Sequence, residues 1–254
     1  MTFLRLFEVE ILKLRRLMAV ISLVGGPALV GLLMFPIAAM RAPGVQIPSS
    51  WNVLLPGLAV FWALFVFPLS VMAFAAFYAQ IEHRARAWDH ILALPTPKWL
   101  LFSVKALVVI AATVAMHVVF LAFAFFGGWL GGLVSSLGPL RGPFGLEAIT
   151  WQLAFAEGAS LMTVAVQLWL SLRFSSFAAP VMIGIGAFIL SGAAYASSFL
   201  GDFLGSARYI PWIVPIAMNG APSPLKEQLL FYGLFGGLLL MAAAVIDLSR
   251  REMR

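Results

Sequence analysis

Along this chain, polar positions withdraw from six long stretches and gather between them. The apolar runs fall near Leu17–Met40, Val53–Tyr78, Val104–Leu130, Ile149–Leu172, Phe177–Phe199 and Leu229–Ile246. Each is rich in Leu, Val, Ala, Phe and Gly and long enough to cross a hydrocarbon layer about 30 Å thick as a helix. The pattern predicts an all-α polytopic membrane protein, one transmembrane domain over 1–254 with six spans. Before span 1, residues 1–16 read as an amphipathic interfacial helix. Phe3, Leu4, Phe7, Ile11 and Leu14 share one face, and Arg5, Glu8, Arg15 and Arg16 lie towards the other.

Two connecting segments carry further pattern. Between spans 2 and 3, Ile81, Ala85, Trp88 and Leu92 recur at helical spacing, and Glu82 with Arg86 forms an i,i+4 pair. Pro95-Thr96-Pro97 stops that helix. Between spans 5 and 6, Leu200–Gln228 is apolar but broken by prolines, so it is expected to lie at or dip into the outer interface rather than cross it. Gly25-Gly26-Pro27 in span 1 and Pro68 in span 2 favour kinks.

Composition and charge narrow the picture. Hydrophobic residues make up 63% of the chain and charged ones 10%, which excludes an ordinary soluble domain. Of the 16 Lys and Arg residues, only Arg41, Arg141, Arg208 and Lys226 fall on one side of the six spans. The rest fall on the other, so both termini are expected in the cytoplasm. The net charge of +6 sits at segment ends, which suits anionic lipid rather than nucleic acid. There is no cysteine, hence no disulfide or thiolate site.

Catalytic patterns are missing. None of the lysines follows a glycine, so there is no phosphate-cradling P-loop, and the three histidines form no metal-ligand spacing. Gly158-Ala159-Ser160 reads as a small-residue packing site. The polar residues inside the spans are more telling. Glu157 is the one carboxylate deep in a span. With Ser160, Thr163, Gln167 and Ser171 it shares a stripe of about 120° on span 4, at about 100° per residue. Such a stripe lines a path for a polar or amphipathic substrate, or forms a hydrogen-bonded seam between helices or protomers. His117, one turn after Thr113 in span 3, is within range of Glu157, or else bonds a backbone carbonyl.

The order of these features resembles the permease subunit of a type-2 ATP-binding-cassette exporter. The stretch Glu8–Arg16 (EVEILKLRR) is similar to the acidic-to-basic opening of such permeases. Glu82–Lys105 (EHRARAWDHILALPTPKWLLFSVK) resembles their Leu-Pro, Lys-ending loop. Tyr209–Pro215 (YIPWIVP) is similar to the segment before the last span in the lantibiotic (bacteriocin) immunity branch.

The resemblance implies a bacterial inner-membrane exporter of an amphipathic substrate such as a peptide antibiotic, hydrophobic drug or lipid-like molecule. It would pair with a second permease copy or a related permease. It needs no cofactor of its own, with Mg-ATP hydrolysed by a separate cytoplasmic ATPase. The resemblance further implies that Glu82–Leu94 is a coupling helix docked on that ATPase, with Trp88, Ile91 and Leu92 as apolar anchors and Glu82, Arg86, Asp89 and His90 as polar contacts. An ATPase-linked assembly or release factor, and a proton-coupled transporter built on Glu157, are the other classes the residues allow.

The charge asymmetry yields a direct test. Single cysteines introduced at Ser136 and Ser249, on a background free of cysteine, should separate. An impermeant thiol reagent should label the first and spare the second on intact cells. The opposite pattern inverts the topology.

Overall fold

In the computed structural model, residues 3–15, 17–85, 88–93, 95–196, 210–220 and 223–250 are described. Among them the chain is all helix, without a strand. The elements are α1 (Phe3–Lys13), α2 (Leu17–Leu32), α3 (Met34–Ala39), α4 (Trp51–Phe61), a π-helical turn (Trp62–Val66), α5 (Phe67–Arg84) and α6 (Trp88–Leu92). They continue with α7 (Lys98–Val134), α8 (Leu146–Arg173), α9 (Ala178–Ala196), α10 (Ile213–Gly220) and α11 (Ser223–Arg250). Six helices are long and apolar enough to cross a membrane: Met18–Ala39, Trp51–Arg84, Lys98–Val134, Leu146–Arg173, Ala178–Tyr195 and Leu225–Arg250. They coincide with the six runs of the sequence. Spans 2 and 3 reach 34 and 37 residues, so their ends stand beyond a layer that about 20 residues cross.

Prolines set the interruptions, though not where the glycine-proline pattern suggested. Pro27 rides inside α2 without ending it. The break in span 1 comes at Leu33, because Pro36 has no N–H to offer the carbonyl four residues back. The chain recovers when the Ile37 N–H bonds the Leu33 carbonyl. In span 2, Pro68 leaves a similar gap, and the Phe67 N–H instead reaches back to the Trp62 carbonyl, giving the π turn. That extra residue turns Trp62 fully into the core.

Close backbone approaches hold the bundle. A Cβ at Gly233 would lie 2.5 Å from the Gly158 carbonyl oxygen, so α8 and α11 touch almost backbone to backbone. Gly158-Ala159-Ser160 is thus used for packing, as its small residues suggest. Between spans 1 and 3, a Cβ at Gly31 would meet the Phe120 carbonyl oxygen at 2.8 Å. The core runs through Met34, Trp62, Phe67, Phe74, Phe102, Met116 and Phe120. Span 5 is the least covered, with Met182, Ile189 and Leu190 exposed.

At one end of the bundle two loops are stitched together. The buried Arg41 guanidinium donates to the carbonyls of Ala38 and Gly138, and the Ser135 hydroxyl donates to the Arg41 carbonyl at 2.8 Å. Beside them, the Arg141 N–H bonds the Ser49 carbonyl at 2.7 Å, and the Trp51 N–H bonds the Arg141 carbonyl at 3.2 Å. Of the Pro-broken segment, residues 200–209 and 221–222 lie outside the described residues. Its described part forms α10, whose Ile213, Val214, Ala217 and Met218 pack with Ala159, Met162 and Leu229. This segment therefore docks into the bundle rather than resting on its surface.

Candidate functional site

Two polar clusters stand out among the described residues of the bundle. The first lies at the end that carries α1 and α6. Lys105 of α7 is buried and sits 2.6 Å from Glu82 Oε1 and 3.0 Å from Glu10 Oε1. Lys13 sits 2.7 Å from the same two oxygens. The Tyr78 hydroxyl donates to Glu10 Oε2 at 2.6 Å. Two ammonium groups thus face two carboxylates, and the charges cancel across α1, α5 and α7. Buried charges persist only in such company, since an unpaired one would lose its hydration without return.

In this arrangement Glu82, expected as a polar contact of the coupling helix, turns inward to Lys13 and Lys105. Helix α1 is likewise rotated from the expected amphipathic face. It buries Leu6 and Glu10 against the bundle and leaves Phe3, Leu4 and Ile11 exposed. Ionic partners on α5 and α7 outweigh the helix's own hydrophobic periodicity, and the apolar residues remain outward at the level of the interface.

The connection between spans 2 and 3 is two helices, not the single helix expected over Glu82–Leu94. Helix α5 ends at Arg84, a turn follows at Ala85, and α6 spans Trp88–Leu92. Trp88 is turned inward. Its indole N–H donates to His83 Nδ1 at 3.1 Å, its ring stacks on Phe102, and the Lys105 ammonium lies 5.7 Å from its ring centre. The large apolar residue at this spacing therefore anchors α6 to the bundle. Around it Arg84, His90 and Trp99 are exposed and Ile91 is half-buried. Arg86 and Leu94, and the side chains of Asp89 and Leu92, lie outside the described residues.

The second cluster lies within the spans. Glu157 Oε1 accepts from Thr113 Oγ1 at 2.7 Å, and its Oε2 stands 3.2 Å from His117 Nε2 without the alignment of a hydrogen bond. The other ring nitrogen, Nδ1, accepts from the Trp62 indole N–H at 2.9 Å. An indole only donates, so Nδ1 carries no proton and the ring proton sits on Nε2, towards Glu157. His117 is therefore hydrogen-bonded to Trp62 rather than to a backbone carbonyl, and stands beside Glu157 without bonding it. Trp62, which the sequence reading did not single out, lies in the π turn.

Below Glu157 the stripe behaves as a seam within the chain. Thr163 Oγ1 donates to the Pro211 carbonyl at 2.7 Å, and Gln167 Nε2 donates to the Pro180 carbonyl at 2.9 Å. Ser160 and Ser171 are buried beside them. Ser160 Oγ, Ser171 Oγ and Gln167 Oε1 are buried without a hydrogen bond, and Glu157 stands apart by its neighbours Thr113 and His117. With His117 it floors a cleft of about 820 Å³ between α7, α8 and α11, walled by Val114, Val118, Leu121, Phe125, Leu161 and Leu234.

Residues 6–191 match a family model described as ABC-2 family transporter protein. No curated protein and no solved structure matches the chain.

The first cluster has a definite pH signature. Burial pushes the Glu10 carboxyl up, but Lys105 and Lys13, with hydrogen bonds from Lys13 and Tyr78, outweigh it and hold the group below its ordinary 4.5. Burial likewise pushes Lys13 down, and Glu82 and Glu10 outweigh it and hold the ammonium above 10.5. Their contribution to stability is thus whole between 4.5 and 10.5. It drains as pH falls through the lowered Glu10 value or rises through the raised Lys13 value. Thermal unfolding in detergent should show that plateau. Lys105→Met should lower stability by about 3–5 kcal/mol, as for a broken buried pair. A melting temperature untouched by the substitution means the four charges do not act together.

Proposed function

The chain belongs to the ABC-2 transporter family, whose members are membrane components that typically lack a nucleotide-binding domain and work with a partner ATPase, and from that premise we propose that it is the transmembrane subunit of an ATP-driven exporter. It sits in a bacterial cytoplasmic membrane with both termini inside. Two permeases, identical or related, pair around the transport route, and Mg-ATP is bound and hydrolysed in the partner. The substrate is amphipathic: a peptide antibiotic, a hydrophobic drug or a lipid-like molecule. The proline-rich Tyr209–Pro215 favours the lantibiotic-immunity branch.

The observation that carries this reading is the attachment of α6. A short helix at the end richest in cations is pinned by Trp88 to Phe102 and Lys105, and Lys105 in turn is tied to α1 and α5. Exposed Arg84, His90 and Trp99, with Ile91, are left to meet a partner. A push on α6 then reaches spans 2 and 3 through the Trp88 ring and the charge cluster. For ATP to drive transport, nucleotide must favour one arrangement of the spans over another by a differential free energy. A rigid attachment allows that difference to be felt within the bundle.

The test separates docking from folding. His90→Glu with Ile91→Asp changes the outward surface and touches no span. Membrane insertion and melting temperature should stay as in the parent, while co-purification of the ATPase should fall about tenfold or more, the loss expected for interface hot spots. Undiminished capture of the ATPase by the double variant moves the docking site elsewhere, first to the exposed face of α1.

A further inference from the structure

The Glu157 cleft is left over once the family role is accounted for. It is an apolar space of about 820 Å³, within the range of cavities that enclose small organic ligands. Its polar floor is a carboxylate and an imidazole. The carboxylate lies about 16 Å below the Leu146 end of α8 at 1.5 Å per residue, deep in a hydrocarbon layer about 30 Å thick. A lipid headgroup does not normally sit at that depth. Val114, Val118, Phe125 and Leu234 along the cleft are exposed, so it opens sideways from the bundle.

The floor is incomplete. Glu157 Oε2 and His117 Nε2 are both buried from solvent, and neither has a hydrogen-bond partner. Among the described residues no Lys or Arg pairs with Glu157, and His117 Nδ1 is taken by the Trp62 indole. Thr113 supplies one neutral hydrogen bond. Among the described residues, the buried carboxylates Glu10 and Glu82 each have ammonium groups at one oxygen, although Glu82 Oε2 is also without a hydrogen bond. Glu157 lacks such an ammonium, and the space beside it is apolar.

We propose that this cleft binds a lipophilic amine. Its ammonium pairs with Glu157 Oε2, and its hydrocarbon or aromatic body fills the cleft between α7, α8 and α11. The proposal rests on the exporter reading and narrows its amphipathic substrate to a cation that enters from the hydrocarbon layer. An ammonium supplies the positive charge that the Thr113 and His117 groups beside the carboxylate do not. The His117 Nε2–H, turned to the same point by the Trp62 bond, serves as a positioning group for the carboxylate.

Binding tests it without transport. The full chain, reconstituted in phosphatidylcholine nanodiscs without any ATPase, is titrated with a dansylated long-chain primary amine and with its uncharged N-acetyl counterpart. The amine should bind saturably, and the acetylated form at least about thirtyfold more weakly, as for loss of a buried charge partner. Glu157→Gln should bring amine affinity down to the acetylated level. Val118→Trp, which narrows the opening and leaves the carboxylate in place, should weaken both probes. Val118→Cys should not cross-link between copies on oxidation.

Equal affinity for the two probes, or amine binding unchanged in Glu157→Gln, overturns the proposal, since the probe is then held by lipid or apolar contact alone. Abolition of probe binding by phosphatidylethanolamine in the disc also overturns it, by assigning the site to a lipid amine. Ready cross-linking at position 118 overturns it too, by making the cleft a seam between copies. ATPase-driven transport measured separately tests the exporter reading, so a failure of one is distinct from a failure of the other.

Discussion

Four charges that cannot be solvated hold one end of this molecule together. Glu10, Lys13, Glu82 and Lys105 come from three helices far apart in sequence and meet at 2.6–3.0 Å. In an apolar bundle each would be costly alone, so each fixes the position of the others. Helix α1 turns Glu10 and Leu6 inward, with Phe7 and Leu14 against the core, while Phe3, Leu4 and Ile11 stay outward. Trp88 then stacks on the assembly and carries α6 with it. The end of the protein that carries α6 is thereby one unit with spans 2 and 3.

The same constraint accounts for the middle of the bundle. Thr163 Oγ1 and Gln167 Nε2 donate to the carbonyls of Pro211 and Pro180, and so draw α10 and α9 onto α8. Glu157 differs in having no ammonium beside it among the described residues: one oxygen accepts from Thr113, and the other lies 3.2 Å from His117 at the floor of an apolar cleft. That contrast with Glu10 and Glu82 is the physical basis for assigning the cleft a cationic ligand.

The six spans were legible because their signal is additive over many residues and depends on no partner. The single-sided distribution of Lys and Arg was legible for the same reason. The Glu157 stripe was legible as a stripe, since its spacing belongs to one helix, but not as two halves with different neighbours. What escaped the sequence were contacts between helices. Nothing local distinguishes Lys105 from an interfacial lysine, or Trp62 from a filler of the core. Periodicity placed Trp88 on an apolar face correctly, yet could not say that the face is covered by Phe102 within the chain. The π turn was visible only as Pro68, because the chain had several ways to absorb the lost donor.

The account stands or falls on whether the charge cluster is the mechanical link between α6 and the spans. The direct measurement is substrate-stimulated ATP hydrolysis by the assembled permease–ATPase complex carrying Glu82→Gln with Lys105→Met. This double change removes one charge of each sign and leaves the Glu10–Lys13 pair in place. The predicted result is normal co-purification of the ATPase and basal hydrolysis near that of the parent, with stimulation reduced about tenfold, within the range of coupling free energies between sites. Full stimulation in a complex that lacks the Glu82–Lys105 pair would contradict the account.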